Sequence, residues 1–202
     1  MMNVKKKLPV GIDNFEKLRK ENFYYIDKTR LIKELLNNWG EVNLFTRPRR
    51  FGKTLNMSML EHFFAIEGDK SIFDGLEISK DEKLCEEYMG KYPVISISLK
   101  GINAATYDTA FQLAVKIIKE AAQKVNFLKT SDKLDADEKK EYYLLLDEDM
   151  NEATLFWSLK TLSRLLEKHY GTKVVLLIDE YDVPLSKAFE NGYYDQMVFA
   201  IV

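Results

Sequence analysis

The sequence predicts an α/β fold with a mainly parallel sheet. Three observations point there: β-prone apolar runs alternate with amphipathic helical stretches, the run Val174-Val175-Leu176-Leu177-Ile178 is apolar without a break, and Gly52-Lys53-Thr54 sits between a strand pattern and a helix pattern. An unbroken apolar run is the pattern of a strand buried on both faces, and strands separated by helices imply parallel pairing through right-handed crossovers.

Composition sets the limits. With 202 residues, 46% of them hydrophobic and 31% charged, the chain is long enough for a sizeable core, so disorder, collagen and small disulfide scaffolds are excluded. No repeat or low-complexity linker interrupts it, and we read one domain over residues 1–202. A lone Cys85 permits neither an internal disulfide nor a cysteine-based metal site, and His62 and His169 add too little for zinc. No apolar run approaches the roughly 20 residues needed to span a bilayer, and no apolar signal core follows the basic start, so a reducing, cytoplasmic setting without membrane contact is expected. The net charge of −2 conceals an imbalance. Residues 1–53 hold 13 Lys/Arg against 6 Asp/Glu, and residues 54–202 hold 17 against 26. A basic entry half suggests an anion bound early in the chain; an unevenly charged solvated surface is the plainer alternative.

The elements follow in order. Residues 8–18 read as an entry segment punctuated by Pro9 and Gly11, and residues 23–26 as a short aromatic extended stretch. Asp27 and Thr29 are candidate caps for a helix to Asn38 with Leu31, Ile32, Leu35 and Leu36 on one face, ended by Gly40. Residues 42–46 read as a strand, followed by Arg47-Pro48-Arg49-Arg50-Phe51-Gly52-Lys53-Thr54 and a helix over residues 55–66. Residues 93–99 form a second strand and residues 107–125 a long helix. The stretch 131–152, with nine acids against three lysines, reads as a surface excursion. A helix over residues 152–169, ended by Gly171, leads into the strand at residues 174–178.

The segment ending in Gly52-Lys53-Thr54 carries the strongest chemical signal. A helix N-terminus offers N–H groups and a positive dipole end to an anion, Lys53 adds a point charge for phosphates, and Thr54 adds a hydroxyl for Mg²⁺. The usual G-x-x-x-x-G-K-[ST] pattern has Gly where this chain has Arg47, and Pro48 biases Arg47 towards extended backbone, so the turn falls at Arg49-Arg50-Phe51-Gly52. Gly52 occupies the position where a side chain is least tolerable. Arg49 and Arg50 read either as a surface pair or as phosphate clamps. The second half of the site is Asp179-Glu180, ending the apolar strand. Ligands of parallel sheets bind at the carboxyl ends of strands, so Asp179 suits Mg²⁺ and Glu180 suits a base that polarises water; two exposed acids at a strand end are the alternative. Asp182 reads as a supporting acid or a cap before Pro184. His62, His169, Trp39 and Trp157 read as packing or boundary residues.

Together these residues resemble the bacterial and archaeal AAA-ATPase-like family, P-loop proteins that often carry a PD-(D/E)XK nuclease-like domain at the C-terminus. The matching stretches are Leu8-Pro9-Val10-Gly11-Ile12, Tyr24-Tyr25-Ile26-Asp27-Lys28-Thr29, the loop from Thr46 to Thr54, the run from Leu177 to Leu185, and Gly192-Tyr193-Tyr194. The resemblance implies a three-layer P-loop NTPase fold, ATP as ligand, Arg49, Arg50, Phe51, Gly52, Lys53 and Thr54 at the phosphates as Walker A, Thr54 and Asp179 at Mg²⁺, and Glu180 with Lys53 as catalytic residues, Asp179-Glu180 being Walker B. It makes Arg47 a family trait and puts residues 8–12 and 24–29 near the adenine. It also implies strands beyond Walker B, so the domain reads as truncated after that strand. A missing C-terminal segment or a second subunit would then supply the sensor or arginine finger. No nuclease activity is assigned.

The expected function is ATP binding and Mg²⁺-dependent hydrolysis that drives conformational change in a larger protein. The alternative is a non-hydrolysing nucleotide-binding regulatory or interaction module. Nucleic-acid binding by the basic first half has thin support, because no reading motif accompanies it.

Overall fold

A computed structural model describes residues 6–38, 40–46 and 51–201, with side chains through residue 198. Arg47, Pro48, Arg49, Arg50 and Trp39 lie outside the described residues. The chain forms two compact units, Met1–Val94 and Ile95–Val202.

The first unit is helical. Its elements are α1 (Phe15–Lys20), α2 (Arg30–Asn37), α3 (Lys53–Phe64) and α4 (Glu82–Tyr88), with 3₁₀ turns at Lys70–Phe73 and Glu77–Lys80. Asn14 caps α1 by accepting from Lys17 N–H at 2.7 Å, which starts a helix inside what reads from sequence as an entry segment. An aromatic cluster holds α1 on α3: Phe15, Phe63 and Phe73 are all at most 1% exposed, with ring centroids of the Phe15–Phe73 and Phe63–Phe73 pairs 5.1 and 5.6 Å apart. Phe15 N–H also donates to Ser58 Oγ at 3.0 Å.

The far end of α3 is tied with unusual density. A helix leaves its last carbonyls without intrahelical donors. Here Gly90 N–H donates to Phe63 O at 2.8 Å, Tyr92 N–H to Phe64 O at 3.0 Å, and the Lys70 ammonium to His62 O at 2.8 Å and to Ala65 O. Burial pushes the Lys70 amine below its ordinary pKa. His62 is a boundary residue, as expected, with Nδ1 2.7 Å from Ser58 O.

One expected element is absent. Residues 42–46 form no strand, and Val42 and Leu44 are 88% and 65% exposed. Alternating apolar residues suit a strand, but a strand exists only with a neighbour to bond, and none of the described residues bonds to this stretch as a sheet.

The second unit contains the sheet. The strands β1 (Val94–Ser98) and β2 (Val175–Asp179) pair in parallel, β1 entering from the first unit through Val94. Helices α5 (Tyr107–Gln123), α6 (Ala136–Leu144) and α7 (Glu152–Tyr170) lie between them in sequence, and α8 (Val183–Asn191) and α9 (Tyr194–Ile201) follow. Thr106 and Asn151 cap α5 and α7, and Gly171 ends α7 in the left-handed conformation. Ile95, Ile97, Leu162, Leu165 and Leu166 share one buried cluster. Thus the α/β character holds on a two-stranded parallel sheet. Leu176 is 41% exposed, so β2 is not covered on both sides as its unbroken apolar run suggests.

The acidic stretch is more than a surface excursion. It contains α6, opened by a capping box between Asp135 and Glu138, and it buries Leu134, Tyr142, Leu145 and Met150. The Tyr142 hydroxyl donates to Ala122 O at 2.7 Å, and burial pushes its pKa up to about 12. Its acids are partly spoken for, since Glu138 pairs with Arg164 at 3.2 Å and Lys168 at 2.6 Å. His169 contacts Ser131 Oγ through Nδ1 at 2.8 Å near the end of α7, whereas Trp157 is exposed, with Lys160 over its ring. No helix among the described residues is long and apolar enough to cross a membrane.

Candidate nucleotide site

The first half of the site is the start of α3. Gly52 takes the N-cap position with φ 77° and ψ 29°, a left-handed conformation that other residues adopt at a cost of about 1–2 kcal/mol. Its carbonyl accepts from Asn56 N–H at 3.0 Å, the first bond of the helix, so the N–H groups of the first turn have no carbonyl partner within α3. That turn contains no acid and begins with Lys53. A cation at the positive end of a helix dipole is unfavourable unless an anion offsets it. Phe51 is 58% exposed, Lys53 is half-buried and Thr54 is exposed. Arg49 and Arg50, expected here, fall outside the described residues.

A further cation is present that sequence reading places only loosely. Lys28 Nζ donates to Phe51 O at 3.3 Å, and a Cβ built on Gly52 would lie 3.4 Å from that nitrogen. Its neighbours pin the backbone. The Asp27 carboxylate accepts from Thr29 N–H at 2.8 Å, Thr29 Oγ1 at 2.7 Å and Glu77 N–H at 2.7 Å, while fully buried Thr29 accepts from Ile78 N–H at 3.1 Å. Burial alone would raise the Asp27 pKa, but the bonds from Thr29 and Glu77 outweigh it and hold the carboxyl below its ordinary value. The Tyr25 hydroxyl accepts from Lys28 N–H at 3.2 Å. Asp27 therefore works through Thr29 and the 3₁₀ turn, and Thr29, at the N-cap of α2, makes no side-chain cap bond of its own.

The other sequence-predicted residues lie in the second unit, at the carboxyl end of β2. Asp179 is 8% exposed, and its Oδ1 accepts from Glu180 N–H at 3.0 Å. Glu180 has φ 55°, and among the described residues it shares a positive φ outside glycine only with Asn22. A glutamate in the left-handed region is uncommon, and such conformations cluster at functional sites. The chain then turns into α8, with Val183 N–H donating to Glu180 O at 3.1 Å and Pro184 in the first helical turn. Asp182 takes the N-cap position without a side-chain cap bond.

As donors, the Thr54 hydroxyl and the Asp179 carboxylate are hard oxygen ligands of the kind Mg²⁺ takes, usually one or two from protein with phosphate and water completing the shell. No group of three or more His, Cys, Asp or Glu among the described residues forms a protein-only metal cage.

The chain is 37% identical over 98 residues to an uncharacterized protein in the vnfD 5′ region of Azotobacter chroococcum mcd 1, an alignment covering 48% of this chain and 18% of that protein. The chain thus spans about a fifth of that relative's length in the aligned part. No solved structure matches. The family described as AAA-ATPase-like, Predicted AAA-ATPase, matches residues 9–201, nearly the whole chain, and the protein belongs to that family.

Proposed function

We propose that the chain binds ATP at the N-terminus of α3 and, with Mg²⁺, hydrolyses it to drive conformational change in a larger protein, on a three-layer P-loop arrangement. The observation that carries this reading is the left-handed Gly52 leading into a first turn that holds Lys53 and no acid. In this reading the backbone N–H groups of that turn and Lys53 bind the phosphates, with Arg49 and Arg50 as further clamps and Phe51 in the loop. Thr54 and Asp179 hold Mg²⁺, which neutralises charge on the phosphate oxygens when bound. Glu180 accepts the proton of the attacking water, and Lys53 stabilises the charge that grows on the transferred phosphoryl group.

Titration with ATP in the presence and absence of Mg²⁺ tests binding. Wild-type protein should bind and Lys53→Ala should lose most of the affinity; folded protein that binds no ATP, or binds it equally after the substitution, overturns the reading. The competing reading is a nucleotide-binding regulatory module without turnover, and the loop's Arg47 in place of glycine favours it. Turnover that disappears in Glu180→Gln eliminates it.

A further inference from the structure

We propose that Lys28 is a second phosphate-binding cation, held on the Phe51 carbonyl until a nucleotide arrives and then transferred to its phosphate tail. This rests on the nucleotide reading above and extends it to a residue outside the Gly-Lys-Thr motif.

Three observations carry the inference. The first is the mount. Lys28 is exposed, yet its backbone is fixed on both sides: Tyr25 accepts its N–H at 3.2 Å, and the Asp27–Thr29 bonds lock the following turn to Glu77 and Ile78. Tyr25 is itself packed edge-on against Phe15, with ring centroids 5.4 Å apart. So much fixation of a surface dipeptide leaves the lysine side chain as the moving part. The second is the reach. Nζ lies 3.3 Å from Phe51 O, beside the glycine that begins the phosphate loop's helix, and a Cβ on Gly52 would come within 3.4 Å of it.

The third observation is electrostatic. Lys28 and Lys53 both stand at the positive end of α3, and neither forms an ion pair with a carboxylate among the described residues. Some lysines of this unit do find acids, Lys20 with Glu16 and Lys33 with Asp81. Gathering two ammonium groups at a helix N-terminus is repulsive unless a multiply charged anion lies between them. A neutral carbonyl is a weaker partner for an ammonium than a phosphate oxygen of opposite charge, so the exchange runs towards the ligand. The specificity follows: Lys28 reads the charge of the phosphate tail, not the base, and distinguishes ATP from AMP.

The test is calorimetric titration of the whole chain with ATP and AMP, in wild type, Lys28→Ala, Lys28→Arg and Lys53→Ala. Losing one charge-assisted contact should weaken ATP about tenfold in Lys28→Ala while AMP changes less than about twofold, and Lys28→Arg should recover most of the loss. Unchanged ATP affinity in Lys28→Ala beside a large loss in Lys53→Ala overturns the role of Lys28 and leaves the nucleotide reading standing. Equal losses for ATP and AMP overturn it too, since they mark a tie that merely shapes the loop. No ATP binding by wild type, or binding indifferent to Lys53→Ala, brings down the nucleotide reading itself. A measurement on the wild-type chain avoids any folding defect of a variant: amine acylation read by mass spectrometry with and without ATP. Protection of Lys28 together with Lys53 supports the proposal, and protection of Lys53 alone overturns it.

Discussion

The two groups of candidate residues, one in each unit, are held by opposite means. In the first unit α3 is anchored from behind, by the phenylalanine cluster and by donors from Lys70, Gly90 and Tyr92 at its last carbonyls, while Phe51, just before its N-terminus, is exposed. Lys28 is exposed and Lys53 half-buried at the free end of a helix whose other end is firmly held. In the second unit the acids depend on backbone geometry: Asp179 is buried at the end of a hydrogen-bonded strand, and Glu180 is turned by a left-handed residue conformation. In the proposed function this contrast assigns affinity to side-chain charge in one group and turnover to the placement of a single carboxylate in the other.

Breaking the anchorage of α3 should have the largest effect. Phe63→Ala removes a fully buried ring between α3 and the Lys70–Phe73 turn and should cost about 3–5 kcal/mol in chemical denaturation, enough to unfold a marginal domain. Glu180→Gln tests the other half without touching the core. It should lower turnover by about 10²–10⁴-fold, with ATP affinity retained. An equal loss of affinity would mean that the two halves are not specialised as described.

Asp27→Asn should cost about 2 kcal/mol, because a carboxylate that accepts three hydrogen bonds becomes a group that cannot accept them all. The pH dependence has a definite sign. The folded Asp27 pKa lies below its ordinary 3.8, so its stabilisation is complete above that value and is lost as pH falls through the lower folded pKa. Acid titration of stability should therefore be shallower in Asp27→Asn below pH about 4. The smallest effect is expected at Gly52, where Ala forces a side chain into φ 77° at about 1–2 kcal/mol. Melting temperature should fall by a few degrees, and ATP affinity should fall with it.

Sequence reading succeeds where the signal is local. Helices α5 and α7 announce themselves by their caps and by apolar residues at helical spacing, and both strands of the sheet fall within a residue of their expected positions. The placement of Gly52 before α3 and of Asp179 at the end of β2 was legible for the same reason. What escaped is what depends on distant partners. Residues 42–46 have a strand's composition, but pairing is a property of two segments, not one. Helix α6 hides because its outer face is acidic and its buried residues are few, although Asp135 and Glu138, three apart, were a capping signal in plain view. Lys28 meets Phe51 across 23 positions of sequence, a distance at which no periodicity operates. The Asp27-x-Thr29 turn was the available hint that its backbone is fixed.

The central claim, that the start of α3 is a nucleotide-phosphate site, is tested most directly by titrating the folded chain with Mg²⁺-ATP beside Lys53→Ala, circular dichroism confirming that both are equally folded. The account predicts saturable binding by wild type and a loss of at least about tenfold in the variant, the value of one charge-assisted phosphate contact. Equal binding by the two proteins, or none by the folded wild type, would contradict it.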